Sequence, residues 1–138
     1  MRCMIDTNII LDVLLAREPF YADSKAVLNL CENKEIKGFI SATAATDIFH
    51  LVRKYLGSTD AAYDALGHIL EIVKVLTVTN DDVTAALLQK AKDFEDCLLA
   101  ACAKSNQCDS IITRNKKDFR SFGIPLRTPE EIIDELKE

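Results

Sequence analysis

The sequence predicts an α/β protein in which a central, mostly parallel β-sheet lies between two layers of helices, as a three-layer α/β/α sandwich. Short runs of β-branched and other apolar residues alternate with longer stretches in which apolar residues recur at helical spacing. Strands separated by helices pair in parallel, because each helix returns the chain to the same edge of the sheet. A length of 138 residues fits one hydrophobic core, so we expect a single domain over residues 1–138.

The first half of the chain alternates strand and helix signals. Pro19 permits a new helix start, Gly38 precedes a short apolar run, and Gly57 ends a helical stretch. The predicted elements are strand 2–6, helix 8–16, helix 20–34, strand 39–41, helix 43–56 and helix 60–72.

The second half continues the alternation. The run from Lys74 to Val78 is rich in β-branched residues, and Asn80 or Asp81 can cap the helix that follows. The predicted elements are strand 74–78, a helix from 80 or 81 to about 92, helix 95–105, strand 110–113, a short strand at 125–127 and a closing helix 129–137.

The composition favours a protein that spans no membrane, and we expect it in the cytoplasm. Apolar residues make up 49% and charged residues 28% of the chain, and no apolar run approaches the roughly 18 residues that a membrane span needs. The net charge of −5 argues against strong non-specific adhesion to nucleic acid, but it does not exclude an enzyme that acts on nucleic acid. The five cysteines form no C-x-x-C pair, which favours buried, reduced thiols.

Acidic residues recur at strand ends and at helix starts. Asp6 follows the first strand, Asp47 lies early in the helix after the second, Asp96 begins the helix at 95–105, and Asp118 follows the strand at 110–113. Because the carboxyl ends of parallel strands meet at one edge of a sheet, these acids can be neighbours in space. Gathered carboxylates repel one another unless a cation compensates them, and oxygen ligands suit Mg²⁺ or Mn²⁺. The constellation therefore predicts metal-assisted hydrolysis of a phosphodiester.

Several nearby polar residues have structural interpretations as well. Thr7 or Asn8 can cap the first helix, and Asp93 can cap the helix that carries Asp96. Asp12, one turn after Asn8, is expected to be structural or on the surface.

A basic group flanks the fourth acidic place. Arg114, Lys116 and Lys117 lie within four residues of Asp118, and they can contact RNA phosphates without reading the base sequence.

Taken in order, four motifs resemble the PIN domain. They are Met-Ile-Asp-Thr-Asn at 4–8, a helical acid at 47, Asp-Phe-Glu-Asp at 93–96 and Ile-Ile-Thr-Arg-Asn-Lys-Lys-Asp-Phe at 111–119. The resemblance implies a fold similar to the 5′-nuclease core. It also implies a VapC-like toxin of a type II toxin–antitoxin system: a Mg²⁺- or Mn²⁺-dependent endoribonuclease that forms a homodimer and is inhibited by an antitoxin protein.

Carried over residue by residue, the resemblance assigns Asp6, Asp47 and Asp96 to the metal, although the family more often has Glu at the second place. The fourth position stays open, because Asn115 falls where many members place an acid, while Asp118 follows three residues later. The supporting residues in this assignment are Thr7, Asn8, Asp93, Thr113 and Asn115.

Two alternatives stay open. The departures at Asp47 and Asn115 are compatible with a nucleic-acid-binding or scaffold module whose metal site has weakened. An unrelated acidic-site α/β domain, such as a phosphotransfer receiver or a haloacid-dehalogenase-like phosphatase, ranks last because its paired acids are missing after the first strand.

Overall fold

The computed structural model describes residues 1–137, so residue 138 of the predicted domain range 1–138 lies outside the described residues. Within this range the strands form one five-stranded sheet in the order β3-β2-β1-β4-β5, and every neighbouring pair is parallel. The strands are β1 (Arg2–Ile5), β2 (Lys37–Ser41), β3 (Lys74–Leu76), β4 (Ser110–Ile112) and β5 (Leu126–Arg127).

Seven α-helices cover the two faces of this sheet in the described part of the chain. They are α1 (Thr7–Leu14), α2 (Tyr21–Glu32), α3 (Ala42–Leu56), α4 (Thr59–Ile72), α5 (Asn80–Gln89), α6 (Phe94–Ser105) and α7 (Pro129–Lys137). Two 3₁₀ turns, Lys116–Asp118 and Arg120–Phe122, follow β4.

The central strand β1 separates two hydrophobic cores, because successive side chains of a strand point to opposite faces. Cys3 and Ile5 belong to one core, into which α1, α2, α3, α4 and α7 contribute side chains. Met4 belongs to the other core, together with side chains of α5 and α6 and with Phe119 and Phe122. Helices therefore lie on both faces of an all-parallel sheet, and the predicted α/β/α architecture is confirmed.

Close packing between α2 and β2 depends on Gly38. A Cβ atom at this position would lie 2.5 Å from Cys31 Sγ and 3.1 Å from Val73 Cγ1. The glycine therefore allows α2 to pack closely against the sheet. It also precedes the apolar part of the strand, as predicted.

Several predicted boundaries need correction. The helix expected to reach about residue 92 ends at Gln89, because Lys90 adopts a left-handed backbone conformation with φ of 51°. The helix expected over 8–16 ends at Leu14, and Ala16 has φ of 49°. The strand expected over 74–78 stops at Leu76.

The cysteines are free thiols, as predicted. Four are buried and Cys108 is half-buried, which is a small departure from the expected full burial. Burial raises the pKa of Cys31 to about 12 and the pKa of Cys102 to about 11, so these thiols stay protonated at neutral pH and pack as small apolar side chains.

None of the helices within residues 1–137 combines the length and the apolar character that crossing a bilayer requires.

Candidate active site

A cavity of about 520 Å³ opens at the carboxyl edge of the sheet, beside the ends of β1 and β2. The strand order reverses between β1 and β4, and this reversal leaves a crevice of the kind in which open α/β sheets bind ligands. Six carboxylates from four separate segments line the cavity: Asp6, Asp47, Asp93, Glu95, Asp96 and Asp118. The four acids singled out in the sequence thus share one cavity.

Asp6 lies directly after β1 and occupies the N-cap position of α1. Its side chain is nearly buried, and its Oδ2 accepts a hydrogen bond of 2.8 Å from the Thr113 hydroxyl. Burial raises the pKa of Asp6, while the hydrogen bond from Thr113 acts in the opposite direction. Thr7 and Asn8 lie in the first turn of α1 and line the cavity, so the expectation that one of them occupies the N-cap position is wrong.

The N-terminal end of α6 brings three acids to the cavity, Asp93, Glu95 and Asp96. Asp93 is the N-cap, as expected, and its Oδ1 accepts a hydrogen bond of 3.0 Å from the backbone N–H of Asp96. Burial raises the pKa of Asp96 to about 7, and the charges of Asp93, Asp6 and Asp118 add to this effect. The acids predicted from distant parts of the sequence are therefore close enough to influence one another.

Asp47 reaches the same cavity from α3. This helix starts directly after β2, where the Ser41 hydroxyl accepts a hydrogen bond of 3.2 Å from the backbone N–H of Ala44. The half-buried Asp47 hydrogen-bonds to Glu95, and this contact, followed by burial, raises the pKa of Glu95 to about 7. Sequence reasoning missed Glu95, although its place between Asp93 and Asp96 in the first turn of a helix was a usable signal.

The two candidates for the fourth position differ in placement. Asp118, at the end of a 3₁₀ turn, lines the cavity. Asn115 is absent from the cavity lining among residues 1–137, and its backbone N–H donates a 3.1 Å hydrogen bond to the Thr113 hydroxyl. Of the two residues, Asp118 therefore lies at the cavity and Asn115 contacts Thr113.

The PIN domain family model matches residues 2–117, which include most of this site. The chain belongs to the PIN domain family. No curated protein sequence matches it.

Solved structures of toxin–antitoxin systems share the fold of this PIN domain. VapBC2 from Rickettsia felis, bound to a DNA fragment from its promoter, is 19% identical with a TM-score of 0.69, over 93% of this chain and 98% of that chain. A toxin–antitoxin complex from Klebsiella pneumoniae is 23% identical with a TM-score of 0.67, over 92% and 97%. VapC20 from Mycobacterium tuberculosis, a toxin that cleaves the sarcin–ricin loop, is 19% identical with a TM-score of 0.68, over 88% and 95%.

The donor set of the PIN domain's cavity fits a hard divalent cation. Among the described residues no lysine or arginine lines the cavity, and His50 is the only histidine that does. The six carboxylates therefore have no lysine or arginine among them to balance their charge. Carboxylate oxygens are the ligands that Mg²⁺ and Mn²⁺ prefer. Within residues 1–137, no group of three or more acidic, histidine or cysteine side chains is close enough to hold a metal ion as it stands. The acids therefore share a cavity without forming a complete set of metal ligands.

Arg114 lies in an ion pair, which sequence reasoning did not foresee. Its Nε and one terminal nitrogen donate to the two carboxylate oxygens of Asp12 at 2.8 Å and 3.0 Å, and its guanidinium stacks 3.8 Å from the ring centroid of Phe20. Asp12 is fully buried, so the expected structural role fits and the expected surface position is wrong.

The two lysines of the basic group differ in their surroundings. Lys116 Nζ contacts both carboxylate oxygens of Glu131 at 2.9 Å and 3.1 Å. Lys117 is exposed on the 3₁₀ turn that carries Asp118, and is the more accessible of the two for a phosphate group.

Proposed function

We propose that this PIN domain is a metal-dependent endoribonuclease that hydrolyses RNA phosphodiester bonds as the toxin of a type II toxin–antitoxin system. The observation that carries the proposal is the single cavity lined by six carboxylates from four segments of the chain, at the edge where α/β sheets bind ligands. So many like charges in one cavity raise the pKa of several members, and a divalent cation is the compensation that such oxygen ligands suit best.

Asp6, Asp47 and Asp96 are the proposed ligands of Mg²⁺ or Mn²⁺. Asp118 and Glu95 add negative charge at the rim of the same cavity. A divalent cation bound here would supply Lewis-acid polarisation of the phosphodiester and a lowered pKa for an attacking water.

The neighbouring polar groups have supporting roles in this proposal. Thr113 orients the Asp6 carboxylate through its 2.8 Å hydrogen bond. Thr7 and Asn8 line the cavity and can donate to the substrate phosphate or to water. Asp93 fixes the first turn of α6, and Asn115 supports Thr113 through its backbone N–H.

Lys117 and Lys116 are the proposed phosphate contacts beside the cavity. Arg114 takes part through the N–H donors that do not bond to Asp12. Such contacts position an RNA strand without reading its sequence. The overall charge of −5 fits a protein whose attraction for RNA is local to this rim.

An antitoxin partner and a homodimer complete the proposal, together with a location in the cytoplasm. Its support is the family and the fold likeness to chains solved as VapBC and toxin–antitoxin complexes. Co-expression with a short DNA-binding protein encoded beside this gene, followed by co-purification, tests the partner.

A cleavage assay tests the enzyme itself. Single-stranded RNA is incubated with the protein in Mg²⁺ or Mn²⁺, in EDTA, and with Asp6→Asn. We expect EDTA to abolish cleavage and Asp6→Asn to lower it at least about 100-fold, since loss of even an outer partner of a metal site costs about 10–100-fold. Asp64→Asn, an exposed carboxylate on α4, is the matched control and retains activity. Equal cleavage in all conditions excludes this mechanism.

A scaffold or nucleic-acid-binding module with a weakened metal site is the second candidate. Two observations favour it: an Asp at position 47 and the lack of a converged ligand set among residues 1–137. Calorimetric titration with Mn²⁺ separates the two functions, because a scaffold takes up no Mn²⁺ even at millimolar concentration.

A further inference from the structure

Asp12 forms the centre of a buried polar network next to the cavity. Its carboxylate is fully buried and accepts a 2.9 Å hydrogen bond from the Ser24 hydroxyl in addition to the two bonds from Arg114. Arg17 Nη1 lies 3.9 Å from the same carboxylate and 3.4 Å from Asn8 Oδ1. A network of this kind joins α1, α2 and the segment after β4 at one point.

The Asp12–Arg114 pair is adjacent to the residue that holds Asp6. Arg114 directly follows Thr113, whose hydroxyl donates to Asp6 Oδ2 at 2.8 Å. The segment is held from the other side as well, because the backbone N–H of Thr113 donates to the Arg127 carbonyl at 2.9 Å. Loss of the Arg114 contacts would therefore leave the residue that orients a proposed metal ligand held from one side only.

The Arg114 side chain is held in one orientation by several contacts. Two of its donors bond to both oxygens of one carboxylate, its guanidinium carbon lies over the Phe20 ring, and only 20% of its side chain is exposed. A bidentate, stacked guanidinium fixes direction as well as charge, and lysine cannot reproduce it.

We infer that the Asp12–Arg114 pair is a positioning device that holds the Thr113 hydroxyl on Asp6 and thereby sets the affinity of the cavity for its divalent cation. The inference rests on the proposed function and extends it. Arg114 acts here through Thr113, and Phe20 packs against its guanidinium.

The test compares Mn²⁺ affinity, measured by calorimetry, in wild-type protein, Arg114→Lys, Thr113→Val and the double variant. Arg114→Lys keeps the charge and loses the bidentate, stacked geometry, while Thr113→Val keeps the shape and loses the hydroxyl. We expect each single variant to bind Mn²⁺ about tenfold more weakly, the magnitude typical of outer partners of a metal site. The double variant should be weakened by much less than the product, because both changes remove the same contact.

Arg2→Lys is the matched control. Arg2 also lies over an aromatic ring, 4.4 Å from the Phe39 centroid, and donates a 2.9 Å hydrogen bond to the Asn106 carbonyl, but it does not line the cavity and does not contact Thr113. Its substitution should leave Mn²⁺ affinity unchanged. Thermal unfolding of every variant confirms that each is folded. Kinetics at saturating Mn²⁺ should show an unchanged KM for RNA in Arg114→Lys, because lysine keeps the positive charge that a phosphate contact uses.

The outcomes separate this inference from the proposed function. Wild-type affinity in Arg114→Lys, or fully multiplicative effects in the double variant, overturns the positioning role. A raised KM for RNA with unchanged Mn²⁺ affinity overturns it and leaves Arg114 with a phosphate contact alone. If wild-type protein itself shows no Mn²⁺ binding that Asp6→Asn removes, the proposed function fails and the positioning role fails with it.

Discussion

Asp96 is a proposed metal ligand whose charged form lowers the stability of the folded protein. Partial burial and three neighbouring carboxylates all disfavour its charged form, and they raise its pKa to about 7. No such pressure acts on a carboxylate in the unfolded chain, where the usual pKa is near 3.8. Between about pH 4 and pH 7, Asp96 therefore keeps its proton in the folded protein but has lost it in the unfolded chain.

Asp96→Asn should stabilise the protein in EDTA, and the gain should increase with pH. Because the folded-state pKa is raised, the favourable contribution of Asp96 is present below about pH 4 and is lost as the pH rises to about 7. The neutral amide does not titrate and escapes this loss. With solvent screening taken into account, we expect a gain on the order of 1 kcal/mol at pH 8.

Urea unfolding of wild-type protein and Asp96→Asn at pH 4, 6 and 8 measures this gain. Asp64→Asn is the control, since its carboxylate is exposed and lies outside the cavity lining. A difference between Asp96→Asn and wild-type that stays constant over this pH range would contradict the explanation.

At the scale of elements, the N-terminal turn of α6 links the hydrophobic core to the site. Small and apolar side chains of α6 pack into the core that includes Met4 of β1, so the helix is anchored against the sheet. Its first turn then presents Asp93, Glu95 and Asp96 to the cavity. Asp93 caps this turn at the end of the preceding loop. The same residue therefore stabilises the start of the helix and adds negative charge to the cavity.

Asp93→Ala and Asp93→Asn separate these two effects. Alanine removes the cap and the charge, and loss of an N-cap costs about 1 kcal/mol. Asparagine removes the charge but can still accept the 3.0 Å hydrogen bond from the backbone of Asp96. Both variants should lower the pKa of Asp96, because the charge of Asp93 contributes to raising it.

Chemical denaturation measures the stability of the two variants, and ¹³C NMR of the carboxyl groups measures the pKa of Asp96. We expect Asp93→Ala to be destabilised and Asp93→Asn to be close to wild-type, with a lowered pKa of Asp96 in both. Equal destabilisation by Ala and Asn would show that the cap is not what Asp93 contributes.

At the scale of the whole molecule, the sheet and the meeting of the acids could be predicted from the sequence. Alternating apolar patterns determine a parallel sheet, and a parallel sheet brings Asp6, Asp47 and Asp96 to one edge without any knowledge of side-chain contacts. The Asp12–Arg114 pair could not be predicted in this way, because it joins residues 102 positions apart and depends on side-chain directions. The early end of α5 depends on one left-handed residue, Lys90, which no periodic pattern encodes.

Mg²⁺ should stabilise the whole protein much more at pH 8 than at pH 5. The raised pKa values of Asp6, Asp96 and Glu95 mean that folding favours their protonated forms. Their contribution to stability is therefore lost as the pH rises, and for Asp96 and Glu95 this loss occurs up to about pH 7. Metal binding requires the deprotonated carboxylates, so the cation competes with protons at pH 5 and compensates gathered charges at pH 8.

Thermal unfolding with and without Mg²⁺ at both pH values measures this linkage. A cation at about 100 times its Kd stabilises by about 2.7 kcal/mol, which corresponds to a rise in Tm of roughly 5–10 °C for a domain of this size. The rise should be small at pH 5, and small at both pH values in Asp6→Asn, which lacks a proposed ligand. A rise of equal size in Asp6→Asn would place the Mg²⁺ elsewhere on the protein, because Asp6 is a proposed ligand in the cavity at the carboxyl end of β1.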